Sequence, residues 1–249
     1  MSRSVTRMTI DDAGHFSEAE KLEIISGYPE HEREARIRGV PSLGSGRVFP
    51  VSDEAISCDA FPVPVHWAQI CALDFGWDHP TAAVKLAWDR DADIVYVTAS
   101  YRRREATPVE HCASLKDWGV HWWAWPHDGL QRDKQSGKEL RHAYEEHGLN
   151  MLATQAQFPD GGNGVEAGVI AMLERMQTGR FKVFSHLEDW FDEFRLYHRK
   201  DGKIVKLRDD LLDATRYGMM CLRFAEHGLE VEEPHQNWAM EGRSLAAGY

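Results

Sequence analysis

The stretch 67–103, WAQICALDFGWDHPTAAVKLAWDRDADIVYVTASYRR, decides the fold. WAQICALDFG is a short apolar run ending in glycine and reads as a buried strand over about 67–75. Asp78, His79 and Pro80 turn the chain, and TAAVKLAWD alternates well enough for a second strand over 81–89. Arg90 to Asp93 turn it again, and DIVYVTASYRR, rich in β-branched and aromatic residues, is a third strand over 93–103. Two short turns predict an antiparallel meander.

Downstream the period changes. TPVEHCASLKDWG is a helix with Thr107 as N-cap, Pro108 at its first position and Gly119 at its end. The very apolar strand VHWWAWP follows over 120–126, with Trp122, Trp123 and Trp125 expected in the core. SGKELRHAYEEHG, NGVEAGVIAMLERMQTG and LEDWFDEFRLYH are helices, separated by the short strands LNMLAT and RFKVF, and Trp190 and Phe191 are core residues. Asp201-Gly202 is a hairpin turn, and RDDLLDATRYGMMCLRFAEHG is a long amphipathic helix with Gly228 as C-cap. Three antiparallel strands followed by α-β alternation predict an α/β chain with a mixed sheet, in the element order of the ribonuclease H-like (RNase H-like) fold.

Upstream, Ser17 with Glu20 is a capping-box pattern, and Gly27 to Pro29 interrupt the periodicity, so two short helices are expected at about 17–26 and 30–38. Three parts follow: an N-terminal linker arm over 1–60, an RNase H-like domain over 61–227 and a mobile tail over 228–249. The formal net charge is −11. Residues 1–60 hold seven basic and eleven acidic residues and residues 226–249 hold one and five, so eight of the eleven excess charges lie on the flanks. Such a balance argues against a nucleic-acid binder that works by a basic surface alone. No run approaches the roughly 18–20 apolar residues of a membrane helix, the N-terminus lacks the apolar segment of a signal peptide, and no membrane partner is expected. Cys58, Cys71, Cys112 and Cys221 are scattered without a CxxC pair, which fits a reduced cytosolic protein.

Carboxylates stand at three places that this fold can bring together. Asp74 ends the first strand, where burial is costly unless the charge is paired or bound to a metal. Asp128 follows the Trp-rich strand, at the kind of strand end where α/β sheets gather their ligands. Asp209, Asp210 and Asp213 open the last helix at spacings that share a face. Asp209 and Asp210 also suit the helix dipole, and Asp128 also suits a turn before Gly129. A set of aspartates with no HExxH and no Cys ligands suits Mg²⁺ or Mn²⁺ better than Zn²⁺. Two such ions can activate a water and stabilise the leaving oxygen of a phosphodiester. His127 and His198 lie near this set in the sequence reading.

The blocks TIDDAGHFSEAEKLEIISGYPEHEREARIRGVPSLGSGRVFPV, ALDFGWDHPTAAV, PHDG and DDLLDATRYG together resemble the C-terminal nuclease part of tailed-phage terminase large subunits, the DNA-packaging motor proteins. The resemblance runs to about residue 225, and its first block resembles the linker between the motor's ATPase and nuclease parts. It implies an RNase H-like endonuclease that cuts concatemeric double-stranded DNA with two Mg²⁺ or Mn²⁺ ions. Asp74, Asp128, Asp210 and Asp213 would be its catalytic carboxylates, and Asp209 would join them as a metal ligand. The partners it implies are the ATPase, the small terminase subunit and the portal, in the cytoplasm of an infected or lysogenic bacterium. No GxxxxGK[ST] occurs, so no ATP hydrolysis is expected, and a start inside the linker block suggests truncation of a longer ancestor.

The densest basic stretch, Arg195, Arg199, Lys200, Lys203, Lys206 and Arg208 against Asp201, spans the predicted hairpin and leads into the Asp209 helix. Beside an acidic metal site it is a candidate track for a phosphate backbone. Arg102, Arg103 and Arg104 read as surface charge. Two divalent ions would bring residues 61–225 from −3 to about +1, because bound ions belong in the local electrostatics. The expectation is weak, metal-dependent DNA affinity. A non-catalytic assembly module and a Holliday-junction resolvase-like nuclease are the alternatives.

Overall fold

The computed structural model describes residues 9–28, 37, 46–132 and 137–227. The meander forms as the sequence predicts: β2 (Ala68–Asp74), β3 (Thr81–Asp89) and β4 (Ile94–Arg103) pair antiparallel. They sit inside a seven-stranded sheet of order β1-β7-β4-β3-β2-β5-β6. The outer strands β1 (Ser57–Cys58), β5 (Trp122–Ala124), β6 (Asn150–Met151) and β7 (Phe181–Phe184) add in parallel. Parallel addition needs crossovers. After α1 (Glu18–Ser26) and α2 (Asp53–Ile56) in the N-terminal segment, α3 (Pro108–Leu115), α4 (Leu140–Glu145) and α5 (Val165–Gln177) supply those crossovers. This is the mixed α/β sheet expected.

Register places the chemistry. Asp74 pairs with Ala82, and Ala82 with Arg102, so one row across β2, β3 and β4 carries a carboxylate and a guanidinium on the same face. On that face lies the last helix, α7 (Asp210–Met220). Its seat is set by Gly218, where a Cβ would stand 2.6 Å from Leu86 Cδ1 and 3.3 Å from Ala72 Cβ. Ala72 precedes Asp74 by two residues, so strand alternation aims both at the helix. α6 (Glu188–Leu196) locks α7 from the side: Trp190 is fully buried, and its Nε1–H donates to Thr215 Oγ1 at 2.9 Å.

Several expectations change. The arm does not end at residue 60, because Val48, Phe49, Val51 and Ile56 are buried and β1 pairs with β7. Phe49 packs on Phe194 and Tyr197 of the α6 end, with ring centroids 5.8 and 5.6 Å apart, which anchors this segment to the domain. α1 carries the expected Ser17–Glu20 capping box, while the helix expected at 30–38 (save residue 37) and the tail at 228–249 lie outside the described residues. The last helix stops at Met220 instead of running to Gly228. Beyond it the chain turns so that Glu226 and Gln69 exchange backbone hydrogen bonds of 2.7 and 3.1 Å. Trp123 and Trp125 are core residues, but Trp122 is 36% exposed, since its short strand has alternating faces and its Nε1–H donates to Glu226. Asp201 and Gly202 both take positive φ between β8 (Arg199–Lys200) and β9 (Lys203–Ile204), as a tight hairpin turn requires. Among the described residues no helix is long and apolar enough to cross a membrane.

Gly218→Leu is expected to lower stability in urea unfolding by about 1–3 kcal/mol through overpacking. Gly218→Ala should be close to neutral, because a gain of about 1 kcal/mol in helix propensity offsets a shift of the Leu86 methyl. A second expectation concerns His121, which burial pushes down to about 4. The unfolded chain then binds more protons than the folded one between pH 6.5 and 4, so His121 destabilises the fold as pH falls through that window. His121→Gln should flatten the acid limb of the stability–pH curve there, measured against wild type.

Candidate functional site

The N-terminal end of α7 delivers Asp209, Asp210 and Asp213 over the end of β2, where Asp74 stands. All three helix aspartates are buried, between 5 and 8% exposed. Asp209 occupies the N-cap position, but its side chain makes no capping hydrogen bond. The cap comes from outside the helix instead. Glu193 of α6, fully buried, accepts the Leu211 N–H through Oε2 at 2.7 Å and so satisfies one of the open donors of the first turn.

The electrostatics are those of crowded carboxylates. Asp74 keeps some surface exposure, but protein atoms surround its carboxyl, and burial followed by Asp213 and Asp210 pushes its pKa well above the usual carboxylate range. Burial and then Asp213 raise Asp209 to about 6. Asp210 is raised by burial, against the pull of Arg102 and His79. Burial lifts Glu193 to about 7, with Arg102 opposing. Because Asp213 and Asp210 act on both Asp74 and Asp209, the four aspartates form one electrostatic group.

Three cations are threaded into the group. Arg216, 2% exposed, lies one helical turn from Asp213 and approaches its Oδ1 at 3.0 Å. Burial works against its charge while Asp213 sustains it. Lys206 Nζ lies 3.5 Å from the other Asp213 oxygen. Arg102, far from being surface charge, has a side chain 16% exposed, with Nη1 3.0 Å from Glu193 Oε1 and Nη2 3.6 Å from Asp210 Oδ2. The sequence reading missed Glu193, Arg102 and Arg216. The signals were available: Glu193 stands three residues from Trp190 on the buried face of its helix, and Arg216 three residues from Asp213.

Asp128 is placed differently. It sits on a short 3-10 turn (His127–Leu130) just past β5, which runs parallel to β2, so Asp74 and Asp128 follow the ends of neighbouring strands. Gly129 fixes that turn: a Cβ there would stand 2.4 Å from the Trp125 ring and 3.0 Å from that of Phe75, the residue after Asp74. Asp128 is exposed and lines a cleft with Phe75, Trp77 and Pro108, outside the charge group that perturbs Asp74. His127 bonds Gln155 and His198 bonds the Leu196 carbonyl, so neither is drawn into the carboxylate group.

The basic stretch divides in two. Arg195 is held by Asp53 (2.7 Å) and Asp192 (2.8 Å), and Arg199 pairs with Glu166 at the start of α5. Arg195 thus ties α6 to the segment that carries Asp53, and Arg199 ties the hairpin to α5. Lys200, Lys203, Lys206 and Arg208 are exposed, and Arg208 takes φ 56° immediately before the acidic helix.

The donor chemistry fits a hard divalent cation: four carboxylates, with no thiolate acting on them and one imidazole, His79, near Asp210. Asp210 Oδ2 is buried with no hydrogen-bond donor, an oxygen with capacity left for a ligand. Among the described residues no three acidic, His or Cys side chains already stand as a metal-holding set. The cations explain this, since Asp213 is turned to Arg216 and Lys206, and Asp210 to Arg102.

Residues 71–222 match the Terminase RNaseH-like domain family, and residues 2–56 match the family described as Terminase large subunit, T4likevirus-type, N-terminal. The terminase large subunit of Salmonella phage P22 is 48% identical over 237 residues, covering 94% of this chain and 48% of the relative, so the chain spans about half the length of that protein. The solved P22 large terminase nuclease domain is 48% identical with a TM-score of 0.69, over 74% of this chain and 95% of that one. The nuclease domain of the large terminase from thermophilic phage G20c, solved with bound cobalt, shares the fold at 16% identity and a TM-score of 0.51, over 71% of this chain and 98% of that one. The family match over residues 71–222, with a solved relative at 48% identity matched over 95% of its length, shows that the chain belongs to the Terminase RNaseH-like domain family.

Proposed function

We propose that this chain is a divalent-metal-dependent endonuclease that cuts double-stranded phage DNA during genome packaging. The observation that carries the reading is the buried aspartate group, Asp74 with Asp209, Asp210 and Asp213, at the strand end of an RNase H-like sheet. Carboxylates are gathered against their own repulsion only where something positive repays the cost. Bound cobalt in the G20c nuclease domain supports metal binding in this fold.

In this reading Asp74, Asp213 and Asp209 or Asp210 hold Mg²⁺ or Mn²⁺, and Asp128 joins them from the neighbouring strand end. Two ions, when bound, would supply Lewis acidity at the phosphodiester and charge stabilisation for the leaving oxygen. The chain's own residues do the rest. The Glu193 cap and the Gly218 seat hold the acidic turn in place, and Arg216 orients Asp213. Lys200, Lys203 and Arg208, exposed on the hairpin side, hold the backbone phosphates of the duplex. The ATPase part of the motor, the small terminase subunit and the portal are its partners, in the cytoplasm of the bacterial host.

Supercoiled plasmid should be nicked by the wild-type chain with Mn²⁺ or Mg²⁺ and left intact in chelator. Asp74→Asn should lose at least about 100-fold in nicking rate, the order of loss when a charged group that stabilises the transition state is removed. The same variant should unfold at a higher temperature than wild type without metal, because a crowded charge has gone. Wild-type protein that leaves plasmid untouched, or an Asp74→Asn variant as active as wild type, would sink the nuclease reading in favour of an assembly module. Replacing Lys200 and Lys203 together by Ala should weaken duplex binding in the presence of Ca²⁺ and lower the slope of log affinity against log salt by about 2, about one per lost phosphate contact. An unchanged slope would remove the hairpin from the DNA path.

A further inference from the structure

Arg102 joins two carboxylates that differ in how firmly they are held. Glu193 is fixed: it lies between Trp190 and Phe194 on the buried face of α6, and its Oε2 accepts the Leu211 N–H at 2.7 Å. Its other oxygen stands 3.0 Å from Arg102 Nη1, an ion contact without hydrogen-bond geometry, so the Leu211 N–H is what fixes the carboxylate. Asp210 is loosely held: Oδ2 has no hydrogen-bond donor and meets Arg102 only as an ion contact of 3.6 Å. It is also the first residue of the acidic helix, next to Asp209 and one turn from Asp213. A largely buried guanidinium needs a carboxylate beside it, and stripping it of its only anion is costly. With Glu193 in place, Arg102 stays neutralised whichever way Asp210 turns.

We propose that Glu193 is a positioning residue for metal binding: by holding Arg102 it releases Asp210 to turn from the guanidinium toward a divalent cation. This rests on the metal-dependent reading above and extends it to residues outside the proposed ligand set. It accounts for carboxylates of the right chemistry that are not yet gathered around a metal position. Without the Glu193 charge, Asp210 becomes the sole partner of Arg102 and stays locked to it.

The test is Mn²⁺ titration of the full chain by calorimetry, with thermal unfolding to monitor the fold. Glu193→Gln keeps an acceptor for the Leu211 N–H and removes only the charge. It is expected to weaken Mn²⁺ binding about tenfold, the range found when groups that orient a metal ligand are removed. In an Asp210→Asn background the same substitution should add no more than about twofold, and Arg102→Gln with Glu193→Gln, which deletes cation and anion together, should restore affinity toward wild type. Unchanged Mn²⁺ affinity in Glu193→Gln, an equal loss in the Asp210→Asn background, or no recovery in the paired variant would overturn the proposal. Wild-type affinity in Asp210→Asn would overturn it too, while leaving a metal site built on Asp74 and Asp213 intact. A wild-type chain that takes up no Mn²⁺ would instead overturn the metal-dependent reading itself.

Discussion

The rest of the structure is arranged around the repulsion among buried carboxylates where α7 meets the end of β2. Asp74, Asp209, Asp210 and Asp213, with Glu193 behind them, cannot all be charged at close quarters without compensation. The protein answers in two ways. Some of the carboxyls are pushed toward the protonated form, and Arg216, Arg102 and Lys206 are inserted between them. In the metal-dependent reading proposed above, a divalent cation would take over both roles.

Holding this arrangement requires a rigid frame, and the frame explains otherwise unrelated features. Gly218 lets the helix lie close against Ala72 and Leu86, so its first turn falls over Asp74. The indole of Trp190 ties α6 to α7 through Thr215, and this in turn holds Glu193 against the open amides of the acidic turn. The segment from Gly46 to Cys58 then packs behind α6: Phe49 lies against Phe194 and Tyr197, and Asp53 takes Arg195. A stretch of sequence that looks like linker therefore helps to support the site.

A family relationship fixes where chemistry is to be sought; the side-chain contacts separate the roles. Among six basic residues of one sequence run, two serve as struts, Arg195 to Asp53 and Arg199 to Glu166, Lys206 reaches Asp213, and Lys200 and Lys203 face solvent. Among three arginines in a row at the end of β4, Arg102 turns inward to the carboxylates, and Arg103 pairs with Glu110 at the surface. Neighbours on a strand point to opposite faces, so adjacent residues of the same type acquire different work.

Much was already determined by the sequence. Apolar runs broken by short polar turns dictated the meander from Ala68 to Arg103, because period-two burial and tight turns are local properties. The Ser17–Glu20 capping box and the Asp201-Gly202 turn were legible for the same reason, since each depends on residues a few places apart. What only the tertiary structure decided depends on residues far apart in the chain. The register that aligns Asp74 with Arg102, the capping of α7 by Glu193 from another helix, the inclusion of Gly46–Cys58 in the fold and the early end of the last helix at the Gln69–Glu226 pairing all belong here. No local spacing encodes which distant carboxylate a buried guanidinium will meet; only packing does.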